Sequence, residues 1–217
     1  MRGRVRREAP RGRAEEATKT SKLPSTTGQP TSEEEIRKYT VGELKPHAAP
    51  IQLVDYDPAW PGLYEREAAR IRGVLGERVI ELEHTGSTSV PGLAAKPCID
   101  MTLVIPDSSD ESSYVADLEA AGYRLVIREP HWYEHRVFKG PDTNVNLHVF
   151  SPGSPELERM VGFRDLLRTH DEDRALYERT KRELASREWK FVQNYADAKG
   201  DVIESIIARV RSGDGAR

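Results

Sequence analysis

The feature that most constrains this chain is a loop of small residues between two apolar strands. It runs from His84 to Asp100 and has the sequence HTGSTSVPGLAAKPCID. Glycine permits close approach of the backbone to a phosphate, and neighbouring hydroxyl or N–H groups can then bind that phosphate. A Gly-Ser pair is otherwise an ordinary turn. Here Gly86 and Ser87 precede a lone carboxylate, Asp100, at the start of the next strand, an order typical of a nucleoside triphosphate held over a metal ion.

Side-chain alternation places polar residues on one face of the strand that follows this loop. In the segment 98–105, four apolar residues share one face, so Asp100 and Thr102 share the other. A carboxylate on an open sheet face is a natural Mg²⁺ ligand, because Mg²⁺ takes one or two carboxylates together with phosphate oxygens and water. The alternative for Asp100 is a polar residue that caps nearby N–H groups.

A second strand, 145–150, carries a similar polar pair. Its apolar residues alternate with Asn146 and His148. If the two strands lie in one sheet, this pair shares a face with Asp100 and Thr102. His148 could ligate a metal, act as a general base or bind a phosphate. A structural histidine on a half-exposed sheet is the alternative, and His84 allows the same alternatives.

Further candidate ligands for phosphate lie in the loop and in the C-terminal helices. A lysine can act as a point charge on phosphate or remain solvated. Arginines one helical turn apart can clamp a phosphate or a carboxylate, or they can pair with local acids such as Asp165. A tyrosine could stack on a base while a lysine one turn away meets phosphate, although packing explains such a pair equally well. The predicted phosphate and substrate ligands are Gly86, Ser87, Thr88, Lys96, Asn146, Arg164, Arg168, Tyr177 and Lys181.

The order of predicted elements indicates an α+β fold with a mixed sheet flanked by helices and a C-terminal helical extension. Strands are predicted at 51–55, 78–83, 98–105, 123–128, 133–139 and 145–150. Helices are predicted from Asp57-Pro58 to a stop at Gly76, at 111–121, and in three pieces after Pro155, with Asp171 capping the second of these.

The N-terminal residues lack the apolar side chains that a core requires. Residues 1 to about 31 are rich in Arg, Ser, Thr, Gly and Pro and are predicted to be disordered. Ser32 and Glu35 match a capping box before a short helix. We therefore predict a disordered or weakly ordered tail over residues 1–48 and one domain over 49–212, with the sheet ending near residue 152.

Charge and cysteine content narrow the class of protein. The 217 residues carry a formal net charge of −3, which argues against broad nucleic-acid binding because such proteins usually have a strongly basic domain. The single cysteine, Cys98, excludes an intrachain disulfide and favours a reducing compartment. No apolar run is long enough to span a membrane. A cytoplasmic protein without a membrane partner is the expectation, and a protein partner stays open.

Several of these segments together resemble one known family. The stretches EHTGSTSVPGLAAKPCID, NLHVF, GFRDLLRTHDEDRALYERTKRELA and YADAK are similar to those of the GrpB family. The resemblance covers about three quarters of the chain, from Ile51 onward. It implies the minimal nucleotidyltransferase fold of the DNA polymerase β type, and the family also occurs fused to dephospho-CoA kinase. It implies no particular substrate.

This chain departs from the superfamily pattern that the resemblance implies. The pattern has a Gly-Ser turn, an acid-x-acid pair and a third acid on a later strand. Gly86, Ser87 and Asp100 match this pattern. Thr102 occupies the position of the second acid, and His148 lies on the later strand, where the pattern has its third acid. A threonine cannot bridge the two ions of a two-metal site. One Mg²⁺ bound with a triphosphate stays compatible with the sequence.

Three functions follow as hypotheses. The first is nucleotidyl transfer from a nucleoside triphosphate with Mg²⁺ to a small-molecule acceptor, with Asp100 as metal ligand and His148 as base or orienting residue. The second is a module that binds a nucleotide, CoA-type or other phosphorylated metabolite without transfer. The third is a scaffold that uses its helical extension to bind a protein.

Overall fold

A mixed five-stranded sheet lies at the centre of the protein, with helices on both of its faces. The computed structural model describes residues 30–47 and 49–211. The strands are β1 (Glu81–His84), β2 (Ile99–Val104), β3 (Arg124–Glu129), β4 (His135–Lys139) and β5 (Val145–Phe150). The helices are α1 (Glu33–Tyr39), α2 (Trp60–Leu75), α3 (Val115–Ala120), α4 (Pro155–Thr169), α5 (Asp171–Ala185), α6 (Val192–Asp197) and α7 (Gly200–Arg211).

The strand order is β1-β2-β5-β4-β3, and only the central pair β2-β5 is parallel. The register sets Asp100 beside Asn146 and Thr102 beside His148. The predicted polar face therefore exists. On the opposite face, the apolar residues of β2 and β5 pack with α2 and α3 into the main core. The mixed sheet flanked by helices confirms the predicted fold class.

Several predicted elements are corrected in their bounds. The predicted strand 51–55 is wrong, because only Val54 pairs with another strand-like residue, Ala95, in an isolated bridge. Residues Gly76–Arg78 form a 3-10 turn, so β1 starts later than predicted. The predicted helix 111–121 divides at Tyr114, whose φ of −148° is not helical, into a 3-10 turn and the short α3.

The helical extension also differs from the prediction. Over residues 155–211 it contains four helices instead of three, since the segment between α5 and α7 includes the separate α6. The N-cap of α5 is His170, and the predicted cap Asp171 is instead the first helical residue, where its charge suits the helix dipole. Gly76 ends α2 as predicted, with a φ of 56°. No helix within residues 30–47 and 49–211 is long and apolar enough to cross a membrane.

The segment 30–47 lies against the domain. The predicted capping box of α1 is confirmed, because Ser32 and Glu35 bond each other's backbone N–H groups. The Thr31 N–H donates to Asp197 Oδ2 on α6 at 2.7 Å. Val41 N–H donates to Val126 O on the edge strand β3 at 2.9 Å. This part of the predicted tail thus connects α6 with the sheet edge, whereas residues 1–29 lie outside the described residues.

Candidate functional site

The polar face of the sheet forms one wall of a cavity of about 1050 Å³, and α4, α5, α6 and segment 30–47 form the others. Ten predicted site residues line it: Gly86, Ser87, Thr88, Lys96, Asp100, Asn146, His148, Arg164, Tyr177 and Lys181. The fold therefore brings together residues that are as far apart in sequence as Gly86 and Lys181. Arg168 does not line the cavity.

The turn at Gly86 lies directly against Asp100. Gly86 has a φ of 47°, in the left-handed region that favours glycine. A Cβ atom built on it would lie 2.6 Å from Asp100 Cβ and 2.9 Å from Asp100 Cγ, distances that no real contact tolerates. Glycine is thus required here both by backbone conformation and by the close approach of the carboxylate. The loop and the acid, which follow each other in the sequence, are thus also in contact in the structure.

Backbone N–H groups at this turn are available as hydrogen-bond donors. Ser87–Ser89 form a 3-10 turn in which Ser89 N–H donates to Gly86 O at 3.3 Å. Among the residues that the structure describes, the N–H groups of Gly86, Ser87 and Thr88 have no hydrogen-bond acceptor. All three residues line the cavity. Successive free N–H groups of this kind form an anion-binding concavity.

One oxygen of Asp100 is held by the neighbouring strand. Asn146 Nδ2 donates to Asp100 Oδ1 at 2.6 Å. Lys139 Nζ in turn donates to Asn146 Oδ1, which fixes the orientation of the amide. The other oxygen, Oδ2, is the atom closest to Gly86. Asp100 therefore keeps one carboxylate oxygen for a ligand beside the free N–H groups.

Thr102 is not available to a ligand. Its side chain is fully buried, and its hydroxyl pairs with the Thr85 hydroxyl at 3.0 Å and contacts Met160 Sδ at 3.4 Å. The structure thus uses the position of the second acid for internal packing. No cluster of three or more His, Cys, Asp or Glu suited to a metal ion occurs in ranges 30–47 and 49–211.

His148 belongs to a chain of hydrogen bonds that crosses three strands. Its Nδ1 lies 3.0 Å from His135 Nε2, and His135 Nδ1 lies 2.7 Å from Glu129 Oε2. Burial lowers the pKa of His148 to about 4 and that of His135 to about 3, while it raises the pKa of Glu129 to about 7. Both imidazoles are therefore neutral near pH 7.

His84 has a structural position beside the loop. Its Nε2 lies 3.0 Å from Thr88 Oγ1, and the Thr88 hydroxyl donates to Cys98 O at 3.1 Å. The hydroxyl must therefore accept from His84, which requires the neutral Nε2–H tautomer. The ring stacks on Tyr64 with 4.9 Å between centroids. Burial lowers the pKa of His84 to about 4, so the structural alternative describes this residue.

The two arginines of α4 bind the protein's own loop. Arg164 Nη1 donates to His84 O at 3.0 Å and to Glu83 Oε2 at 2.6 Å. Arg168 Nη2 donates to Ser89 O at 2.7 Å, and both arginines also contact Asp165. In the structure they hold the loop at its first residue, His84, and at Ser89, and a phosphate clamp formed by this pair stays a prediction.

The tyrosine-lysine pair of α5 lies on the helical wall. Tyr177 packs edge-on against Phe163, with 5.1 Å between ring centroids. Lys181 Nζ donates to Ala94 O and lies 4.8 Å from the Tyr177 ring centre. Burial, with a contribution from Lys199, lowers the pKa of Lys181 to about 7. Lys96 differs from Lys181, since its ammonium has no partner within the described part of the chain.

Sequence reasoning missed Glu129, His135 and the segment 30–47 as parts of this site. Alternation within β4 would place His135 and Lys139 on one face, but the register that aligns this face with His148 could not be obtained from one strand alone. Glu129 pairs directly with His135 across β3 and β4. The segment 30–47 has a low apolar content, which concealed its contacts with the domain.

Comparison with known proteins identifies related chains. The family model described as GrpB protein matches residues 50–209. UPF0157 protein BH1888 from Halalkalibacterium halodurans is 57% identical over 188 residues, which cover 87% of this chain and 96% of that protein. UPF0157 protein SCO7215 from Streptomyces coelicolor is 44% identical over 164 residues, which cover 76% of this chain and 86% of that protein.

A solved structure supports the same relationship. The crystal structure of conserved protein GrpB from Enterococcus faecalis superposes with a TM-score of 0.64 at 25% identity, and the match covers 73% of this chain and 99% of that one. This likeness confirms the α+β fold. The names of these relatives specify no substrate or reaction.

Proposed function

The chain belongs to the GrpB family, and on that premise we propose that it binds a nucleoside triphosphate with Mg²⁺ and transfers the nucleotidyl group to a small-molecule acceptor. The observation that carries this proposal is the contact between the Gly86 turn and Asp100. This contact places unpaired N–H donors, which can bind a phosphate, beside a carboxylate oxygen, which can bind a cation.

The charge of the cavity favours an anionic ligand. Its acidic residues are Glu35, Asp100 and Glu129, whereas its lysines and arginines are Lys45, Lys96, Lys139, Arg159, Arg164, Lys181 and Lys199. Arg159 and Arg164 are paired with acids outside this lining, so the local excess of positive charge comes from the lysines, whereas the chain as a whole has a net charge of −3. Such a cavity attracts phosphate groups from solution.

A single Mg²⁺ fits the residues present only if the ligand brings most of the donors. Asp100 offers one oxygen, since the other is bonded to Asn146. Mg²⁺ is commonly bound by one carboxylate, several waters and substrate phosphates. When bound with the triphosphate, it would neutralise charge on the phosphates during transfer. Asn146 and Lys139 then act by holding the Asp100 carboxylate in place.

The helical wall supplies aromatic surface for a nucleobase. Phe163, Tyr177, Phe191 and Tyr195 all line the cavity. Stacking on aromatic rings is sequence-tolerant because every base has a π face. The tyrosine-lysine pair proposed from the sequence would thus serve the base through Tyr177, while Lys181 stabilises the loop at Ala94.

The transfer step requires a base for the acceptor hydroxyl. His148 lies on the polar face two residues after Asn146, and its Nε2 atom has no hydrogen-bond partner among the described residues. Its neutral imidazole can accept a proton, as a general base must. The acceptor oxygen would bond to the α-phosphorus while pyrophosphate leaves.

Thermal unfolding of the full chain with common nucleotides, CoA and dephospho-CoA tests binding. A ligand at about 100 times its Kd adds about 2.7 kcal/mol of stability and raises the midpoint. We expect a triphosphate to raise it and Mg²⁺ to increase the shift. Asp100→Asn should abolish the Mg²⁺-dependent part, whereas Asp142→Asn, which removes only a surface pair with Arg70, should not.

An unchanged midpoint with every compound would contradict the proposal. An undiminished Mg²⁺ effect in Asp100→Asn would place the metal elsewhere.

One observation favours a second function, a binding module without transfer. Thr102 bonds Thr85 and Met160, so Asp100 is the single acid where the pattern has an acid-x-acid pair. Release of pyrophosphate from a labelled triphosphate distinguishes the two functions. Binding with release supports the transferase, and binding without release under any condition supports the module.

A further inference from the structure

Three titratable side chains lie in a row from the sheet edge to the centre of the cavity wall. Glu129 on β3 contacts His135 on β4 at 2.7 Å, and His135 contacts His148 on β5 at 3.0 Å. The two imidazole planes differ by only 6°. The two rings are thus nearly parallel, and both contacts lie within hydrogen-bond distance.

The two ends of this row differ from its middle. The middle ring, His135, is buried against Trp132 and Phe150, with centroids 4.8 and 4.6 Å away. At one end, His148 lines the cavity, and its Nε2 has no partner in ranges 30–47 and 49–211. At the other end, Glu129 also lines the cavity.

We propose that Glu129, His135 and His148 form a proton relay that takes up or delivers a proton at His148 Nε2. The hydrogen bonds allow two arrangements. With Glu129 ionised, each ring carries its proton on Nδ1, because Glu129 must accept from His135 and His135 must accept from His148. His148 Nε2 is then a bare acceptor.

In the second arrangement, Glu129 is protonated and donates to His135 Nδ1. Both rings then carry their proton on Nε2, and His148 Nε2–H is a donor toward the cavity. Conversion from the first arrangement to the second binds one proton at His148 Nε2, moves one between the rings and leaves one on Glu129. Neither ring becomes an imidazolium at the beginning or the end.

The burial of these side chains supports the proposal that Glu129, and neither ring, holds the additional proton. It lowers the pKa of both rings, because a charged imidazole is poorly solvated beside Trp132 and Phe150. It raises the pKa of Glu129 to about 7, so this carboxyl can hold the proton near neutral pH. The charged and titratable groups that act on these side chains or share their wall are Asp100, Arg136, Lys139, Arg159, His131 and Glu35.

The relay adds a role that His148 alone could not fill. A lone buried histidine with a low pKa is a weak base, whereas the relay lets the proton of an attacking hydroxyl end on Glu129. Glu129 and His135 are thus positioning residues that act through His148. The identity of the proton donor as an acceptor hydroxyl rests on the proposed transfer, but the relay itself needs no ligand.

Nitrogen-15 NMR of the ligand-free full chain with labelled histidine tests the relay. Ring nitrogen shifts report which nitrogen carries the proton. We expect His135 and His148 to change together from Nε2–H to Nδ1–H as the pH rises from about 6 to about 8, around the pKa of Glu129. Glu129→Gln should fix both rings in one tautomer over the same range.

His84 supplies an internal control for this experiment. Its Nε2–H tautomer, bonded to Thr88, should persist throughout in both proteins and should report that Glu129→Gln is folded. A change of tautomer that survives in Glu129→Gln, separate behaviour of the two rings, or a doubly protonated ring in this range would overturn the relay. A coupled change without any triphosphate binding would retain the relay and reject the proposed function.

Discussion

The two faces of the same central strands contrast in what they do. Toward α2 and α3, β2 and β5 present only apolar side chains, all fully or almost fully buried. Toward the helical extension, the same strands present Asp100, Thr102, Asn146 and His148. The apolar face gains stability from burial. On the polar face, hydrogen bonds orient the side chains around a cavity. Alternate residues of the same strands therefore stabilise the fold and form the site.

The largest effect should come from the apolar face. Leu103→Ala removes a side chain with no exposed area from the main core, and a change of this kind costs about 2–5 kcal/mol. Asp100→Asn, on the opposite face, should cost far less. Urea unfolding of both variants measures the difference. Equal losses would show that the two faces do not divide stability and site as described.

A smaller loss is expected at the turn on the polar face. Gly86→Ala forces an alanine into a φ of 47° and against Asp100, at a cost of about 1–3 kcal/mol. Gly92→Ala is the matched control, because Gly92 also has a positive φ but has open space around its Cα. Gly86→Ala should lose more stability and also triphosphate binding. Equal losses of stability and of triphosphate binding in the two variants would contradict the close contact between Gly86 and Asp100.

Stability should fall as the pH is lowered from 7 to 5. His84, His135 and His148 have a folded pKa of about 3 to 4, below the ordinary 6.5. Below pH 6.5 the unfolded chain therefore binds more protons, and the folded state loses free energy. Lys181, with a pKa lowered to about 7, acts in the same direction, whereas Glu129, with a raised pKa of about 7, acts in the opposite direction.

The three histidines and Lys181 together outweigh Glu129, so a net loss of stability should result. Urea unfolding at both pH values in low and high salt measures it. Because buried groups are poorly screened, the loss should persist in high salt. Constant or increasing stability at pH 5 would contradict the neutral buried histidines.

The smallest effect is expected at Thr102. Thr102→Val keeps the shape of the side chain and removes a hydroxyl that bonds only Thr85 and Met160. Thr85 retains Asp100 O as an acceptor, so stability should change by less than about 1 kcal/mol. Calorimetric titration should give an unchanged triphosphate affinity with Mg²⁺. A large loss of affinity would show that Thr102 contacts the ligand.

Local patterns in the sequence predicted the five strands of the sheet, with shifted bounds, and its polar face. The alternation around Asp100 and around His148 predicted the polar face, because side-chain direction depends only on the strand itself. The capping box at Ser32 was equally local. Such features need no knowledge of which elements pack together.

Features that depend on packing could not be obtained in this way. The contact of His135 with His148 requires the register between β4 and β5. The arginines of α4 bond to the loop at His84 and Ser89 because of how α4 docks. Helix spacing predicted their common face but could not show that the partner would be the protein's own backbone.

The central claim is that the Gly86 turn and Asp100 form a phosphate and metal site. A crystal structure with a bound triphosphate and Mg²⁺ tests it most directly. We expect phosphate oxygens on the N–H groups of Gly86, Ser87 and Thr88, with Asp100 as the single carboxylate on the ion. Phosphates bound away from this turn, or an ion without Asp100 among its ligands, would contradict the account.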